Sequence, residues 1–149
     1  MLFEQALEDG GNPLASLVGC PQKVSTRQAA LINGAASHAL DYDEVNFSMG
    51  DHPTVAALPG MLALAEQRKA SGKAVLTAFV ASYEALGMVG LLVAPSHYAR
   101  GFHATATVGS FGSAAACAHL LGFDAKTTAR ALGIAGTQAA GLKSQFDHV

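Results

Sequence analysis

Gly101-Phe102-His103-Ala104-Thr105-Ala106-Thr107-Val108-Gly109 opens a run of small residues that continues to Ala118. The run holds Gly109, Gly112 and the triplet Ala114-Ala115-Ala116, and it closes on His119-Leu120-Leu121-Gly122. Side chains this small let neighbouring backbones approach closely, so the run predicts a helix buried on most of its faces. His103 stands at the mouth of that helix. A titratable group is costly to place there without a partner. From the residues, two readings stay open for it: a satisfied core or capping histidine, or a group lining a site.

Moving outward, His97 to Gly101 predicts a connecting turn, and Pro95-Ser96 ends a long apolar helix over about 74–93 that carries Tyr83 and Glu84. Ser71-Gly72-Lys73 is the break before it. A further helix runs from Pro53 to about Arg68. Proline suits the first helical position, where its missing N–H costs nothing, and Pro59-Gly60 predicts a kink. Upstream, Ser25 and Gln28 have the spacing of a capping box. The helix they start is expected to reach about Asp43, with Ala30, Leu31, Ala35, His38 (by its stem) and Ala39 at helical spacing. A short helix over 2–9 stops at Gly10-Gly11-Asn12-Pro13, and Gly19-Cys20-Pro21 marks a loop. Beyond Gly122, Asp124 is an N-cap for a helix over about 125–140, and Gly141 sits where a C-cap glycine would. Val45 to Phe47 is too short for a useful strand, and no repeat is present. The expected fold class is all-α, with about six helices in a single domain over 1–149.

The composition agrees with closely packed helices. Half of the 149 residues are hydrophobic and only 13% are charged; there are 16 glycines and no tryptophan. A net charge of −2 offers no basic patch for phosphates, which argues against nucleic acid. The two cysteines, Cys20 and Cys117, lack metal-type spacing and read as reduced thiols. No signal peptide is visible, and no apolar run of 18 residues escapes interruption by polar or breaker positions, so no membrane span is assigned. A cytoplasmic protein is the expectation.

Four polar elements carry the chemistry: Asp41-Asp43-Glu44, His52, His103 and His38. His38 and Asp41 are three apart and would share a helix face. Three carboxylates at a helix C-terminus oppose the macrodipole, a local conflict that points to function. A carboxylate beside a histidine can orient it as a general acid or base. The plain reading of Asp43-Glu44 is a solvated helix end. His97, His119 and His148 have no evident partner and receive no role. A metal-binding His/Asp domain is a rival, although no H-E-x-x-H and no Cys/His cluster occurs. A helical self-association module is a second rival. No glycine-rich nucleotide turn and no nucleophile motif is present.

The segment Asn33-Gly34-Ala35-Ala36-Ser37-His38-Ala39-Leu40-Asp41-Tyr42-Asp43-Glu44, then His52-Pro53, then Gly101-Phe102-His103-Ala104-Thr105, then Ala131-Leu132-Gly133-Ile134-Ala135-Gly136-Thr137-Gln138-Ala139-Ala140-Gly141-Leu142 resembles the MmgE/PrpD family in order and spacing. The resemblance covers about residues 11–146. It implies an all-helical domain that pairs with an α+β lid in the family, and a lyase or isomerase that needs no cofactor or metal. It further implies a homodimer and a small di- or tricarboxylate substrate, acted on by proton transfer next to a carboxylate. Loss of water, loss of CO2 and epimerisation all occur in that family. By motif, Asp41, His52 and His103 fall on active-site positions. His103 is implied as the general acid/base, His52 as the group that binds or polarises a substrate carboxylate, and Asp41 as an orienting or relay group.

Two departures matter. Val45 stands where some members carry a substrate-contacting threonine. The family's active-site lysine lies in a segment beyond the Gly141-Leu142 motif, whereas here Phe146 is followed by Asp147-His148-Val149. The expectation is therefore an incomplete helical domain without the lysine segment or the lid, and with weak or no activity by itself.

Overall fold

The computed structural model describes residues 2–93 and 95–144; His148 lies outside them. In chain order the elements are α1 (Leu2–Asp9), β1 (Ala15–Ser16), β2 (Lys23–Val24), α2 (Thr26–His38), α3 (Pro53–Arg68), α4 (Gly72–Val93), α5 (Ser96–Ala99), α6 (Ala104–Thr107), α7 (Gly109–Leu120) and α8 (Ala125–Gln138). Helices α5 and α6 are single turns of 4 residues. The other six carry the architecture, so the expected all-α fold is the one observed.

Helix α3 is the inner member. Its buried residues are Pro53, Val55, Ala57, Pro59, Met61, Ala63 and Ala65, every second position. Two residues turn a helix by about 200°, so alternate burial means that two opposite faces are covered. On one side Ala63 joins a core with Ala6 of α1, Leu17, Val24 and Ala29 of α2. On the other, Met61 joins Ala78 of α4 and Ala116 of α7. A third cluster, Met49, Leu86, Ala104 and Val108, lies where α4 meets the start of α6 and α7. Pro59 sits inside α3, which continues through it to Arg68.

The helix starts follow the sequence. Ser25 caps α2 in a reciprocal box with Gln28, and the Asp124 carboxylate accepts from the Thr127 N–H at 2.7 Å. The ends differ from expectation. Helix α2 stops at His38, five residues before Asp43, because Asp41 adopts a left-handed φ of 54° that no helix continues. The small-residue run forms α6 and α7, which meet at Val108, whose backbone stays right-handed at φ −72° and ψ −35°. Gly141 is not the cap of α8, whose cap residue is Ala139. A Cβ at Gly141 would lie 2.4 Å from Ala106 Cβ, so close approach to α6 is its reason.

By length and composition α4 is apolar enough to cross a membrane, with a mean hydropathy of 1.7 in its best window. The polar positions counted as interruptions in the sequence lie within one unbroken 22-residue helix. Ala78, Ser82, Leu86 and Gly90 are its buried residues, and it packs on α7 and α3. Leu76, Val80, Met88, Leu91 and Leu92 remain exposed.

The two-residue strands were too short to show in the pattern. They pair antiparallel, Ala15 with Val24 and Ser16 with Lys23. Glu66 of α3 pins this pair: its carboxylate accepts from the Ser16 N–H at 2.7 Å and from the Ser16 hydroxyl at 2.8 Å, and it pairs with Lys23. The Lys23 hydrogen bond, followed by those from Ser16, pulls the Glu66 pKa from 4.5 down to about 2. A depressed carboxylate stabilises the fold above its unfolded pKa, and that gain is lost as pH falls through the folded value. Glu66→Gln is therefore expected to flatten the loss of Tm on acidification from about pH 4.5 toward 2. Exposure of the pair keeps the effect small. Thermal melts across that window check it, and identical slopes in the two proteins would refute it.

Candidate active site

Three segments bring six side chains together. The end of α2 supplies His38; the link to α3 supplies Asp41, Asp43, Asp51 and His52; and the residue before α6 supplies His103. The His38 and His52 rings meet edge-on with centroids 5.1 Å apart, and the His38 and His103 rings stack at 6.2 Å. Asp41, His52 and His103, the residues selected from the sequence, thus belong to one cluster centred on His38.

Each imidazole has a carboxylate. Asp43 accepts from His38 Nδ1 at 2.9 Å. His52 Nδ1 lies 3.2 Å from the Asp43 carbonyl oxygen and 3.4 Å from its carboxylate. On the other ring edge, His52 Nε2 lies 3.4 Å from Asp41 Oδ1. His103 Nε2 lies 3.2 Å from Asp51 Oδ2. The histidines at 52 and 103 keep only 15% of their side-chain surface exposed, whereas Asp41 keeps 79%. Burial pushes the Asp43 pKa up, but the His38 hydrogen bond and the nearby charges of His38 and His52 outweigh it and hold the carboxyl below its ordinary value.

Two expectations need correction. Asp41 does not share a helix face with His38, because α2 has ended; His38 pairs with Asp43 instead. Nor do Asp43 and Glu44 end the helix, and only Glu44 is exposed. Asp43 is largely covered by the histidines, and Glu44 reaches across to α3 and α4. Its carboxylate accepts from the Thr54 N–H at 3.0 Å, from the Thr54 hydroxyl and from the Tyr83 hydroxyl. A carboxylate on the first N–H of α3, that of Thr54 after Pro53, also meets the positive end of that helix. Burial, then the bond to Glu44, raises the Tyr83 pKa to about 12. Burial opposes ionisation of Glu44, yet the bonds from Thr54 and Tyr83 leave its pKa lowered.

Asp51 is not among the residues that the sequence singles out. It is 8% exposed, among the few buried polar groups of the described chain. Its adjacency to His52 was the available signal. His97, given no role, supports the site from behind. Its Nε2 lies 2.6 Å from the Thr107 hydroxyl, which in turn donates to the His103 carbonyl at 3.0 Å. His119 contacts Thr77 at 3.2 Å, away from the cluster.

Of the cluster, His38 lines an open groove of about 950 Å³ formed by α2, α3, α6, α7 and α8. His38 and Thr105 line it near the cluster, and Ala35, Ala114, Cys117 and Gln138 line it farther along. His38, Asp41 and Asp43 place ligand atoms within 4.8 Å of one another, a spacing that a cation could span. Their donors and acceptors already engage each other and His52, which satisfies the same geometry without one.

Comparison with known proteins places the whole arrangement. The family model of the MmgE/PrpD N-terminal domain matches residues 1–148. The chain belongs to the MmgE/PrpD family. Among its relatives, a cis-aconitate decarboxylase-like protein of Aspergillus oryzae is 33% identical over 135 residues, covering 85% of this chain and 28% of that protein. The cis-aconitate decarboxylase of Homo sapiens is 35% identical over 116 residues, 74% of this chain and 24% of its own. That of Aspergillus terreus is 34% identical over 134 residues, 86% of this chain and 27% of its own. The chain therefore spans about a quarter of the length of the curated relatives it matches.

Proposed function

We propose that this MmgE/PrpD chain contributes the histidine–aspartate part of the active site of a lyase that acts on a small polycarboxylate without metal or organic cofactor. The observation that carries the reading is the convergence of three imidazoles, each with a carboxylate beside it, around His38, which lines an open groove. Its similarity to cis-aconitate decarboxylases supports the substrate class.

The chemistry follows from what such reactions demand. Decarboxylation leaves an electron pair on carbon that must be protonated, whereas dehydration and epimerisation must first remove a proton from carbon. All need a group that exchanges a proton near neutral pH, which is the capacity of imidazole. We assign that role to His103. His52, ringed by oxygen atoms and next to exposed Asp41, is assigned to binding and polarising a substrate carboxylate, with Asp41 as the orienting or relay group. Among the described residues, the ion pairs of the cluster all join an imidazole to an aspartate. Three aspartates offset three imidazoles, so the cluster offers donors but little net positive charge. Tight binding of a polycarboxylate then calls for cations from elsewhere in a complete, dimeric enzyme, and activity of these residues by themselves is expected to be weak.

The test is proton NMR of the purified chain with cis-aconitate or 2-methylcitrate in D2O, which reads both product and exchange of substrate C–H. Slow but measurable conversion or exchange is the expected result. A spectrum indistinguishable from buffer would sink the catalytic reading. It would favour a helical association module, for which the exposed Leu76, Val80, Met88, Leu91 and Leu92 of α4 are the supporting observation.

A further inference from the structure

Asp51 does more than fill space between two elements. It opens the Asp51-His52-Pro53 entry to α3, and its side chain reaches the start of α6. Oδ2 accepts from the Thr105 N–H at 3.1 Å and lies 3.2 Å from His103 Nε2. Oδ1 accepts from the His52 N–H at 3.2 Å. The same His52 N–H also reaches the Thr105 hydroxyl at 3.1 Å. One carboxylate therefore ties the backbones at His52 and Thr105 together and holds the His103 ring. A buried carboxylate persists only with such partners. The Asp51 backbone is fixed as well, since its carbonyl accepts from the Asn46 N–H at 2.9 Å.

A carboxylate can only accept, so the His103 nitrogen that faces it must carry hydrogen. The carboxylate also resists rotation of the ring, because its second oxygen and both backbone bonds lock its plane. We propose that Asp51 is the positioning residue of His103: it selects the Nε2–H form and fixes the plane of the ring. The use of that ring in the reaction rests on the catalytic reading of His103 given above. The Nε2–H that faces Asp51 at 3.2 Å does not, and it can be observed with no substrate present.

The experiment uses the intact chain with 15N-labelled histidine and long-range proton–nitrogen NMR, with His103 signals assigned by their loss in His103→Asn. The expected wild-type result is a single Nε2–H form of His103 with a slowly exchanging Nε2 proton. In Asp51→Asn the amide oxygen still accepts but the charge is gone. Bonds to charged groups are about twice as strong as neutral ones, so exchange of that proton is expected to accelerate about tenfold. Hydrogen on Nδ1 in the wild type would overturn the proposal without any variant. Unchanged exchange in a folded Asp51→Asn would overturn it equally. A protein that shows the protected Nε2–H but never converts substrate would retain Asp51 as the positioning residue and refute only the catalytic role of His103.

Discussion

Gly109→Ala and Gly112→Ala are each expected to destabilise the chain by about 1–3 kcal/mol, while Gly133→Ala stabilises it by up to about 1 kcal/mol. All three glycines lie in helices, and in each helix alanine is the better former, by about 1 kcal/mol. Packing must therefore decide the sign. A Cβ at Gly109 would stand 2.3 Å from the Ala56 Cβ of α3. That atom is fixed to its backbone and cannot swing aside, so the two helices would have to separate. A Cβ at Gly112 would stand 2.6 Å from Leu86 Cδ2 and 2.9 Å from Ser82 Oγ of α4. A Cβ at Gly133 meets nothing within 4 Å. The first two positions face different helices, so the double variant approaches the sum of the two losses. That sum is a large share of the about 5–15 kcal/mol by which domains hold together. Denaturant titration followed by circular dichroism gives the order. Gly109→Ala as stable as Gly133→Ala would refute the close-packing account of α7.

The same closeness shapes the site. A Cβ at Gly90 of α4 would lie 2.6 Å from both Met49 Cα and Ser48 O, so α4 runs directly against the backbone of the link before α3. That link is wound on Asn46, whose side-chain oxygen accepts from the Ser48 N–H at 2.9 Å and the Met49 N–H at 3.2 Å. Gly50 takes a left-handed φ of 81° to close the turn. Asp51 and His52 emerge from it in fixed directions. Asp43 is set from the other side, because its neighbour Glu44 is anchored on Thr54 and Tyr83. The histidines therefore sit on a link that α3 and α4 hold at both ends.

Where a structural feature depends on a few adjacent residues, the sequence shows it. Ser25 with Gln28 and Asp124 at the head of α8 each satisfy N–H groups within three residues of themselves, Pro53 removes an N–H from the first turn of α3, and all three starts are observed where expected. Helix ends were harder. The stop of α2 at His38 depends on Asp41 turning left-handed, and aspartate is compatible with either hand. The role of Gly141 depends on Ala106, 35 positions away along the chain. For the site, Asp41, His52 and His103 were legible as a motif set, and the structure brings them together. Asp51 was not, because its meaning lies in the N–H of Thr105 and the ring of His103, which only folding delivers. The two-residue β pair escaped for the same reason: Glu66 on α3 completes it.

His103→Ala is expected to lower turnover or solvent-exchange of substrate by about 10²–10⁴-fold, the usual contribution of a positioned general acid or base. The variant should still fold. The backbone bonds at this residue, His103 N–H to the Gly141 carbonyl at 3.1 Å and the Thr107 N–H to the His103 carbonyl at 3.1 Å, do not involve the side chain. Asp51 loses one partner but keeps the N–H groups of Thr105 and His52, so the cost at that carboxylate stays near the about 1–3 kcal/mol of one lost buried polar partner. A loss of rate far beyond the loss of stability is thus the signature of chemistry at the imidazole. His119→Ala supplies the control. It also removes an imidazole from this chain, but one that contacts Thr77 away from the cluster, and its rate should match the wild type. NMR time courses at equal folded protein, checked by thermal melting, make the comparison. Retention of rate in His103→Ala within about threefold, which is under 1 kcal/mol of transition-state stabilisation, would remove His103 from the reaction.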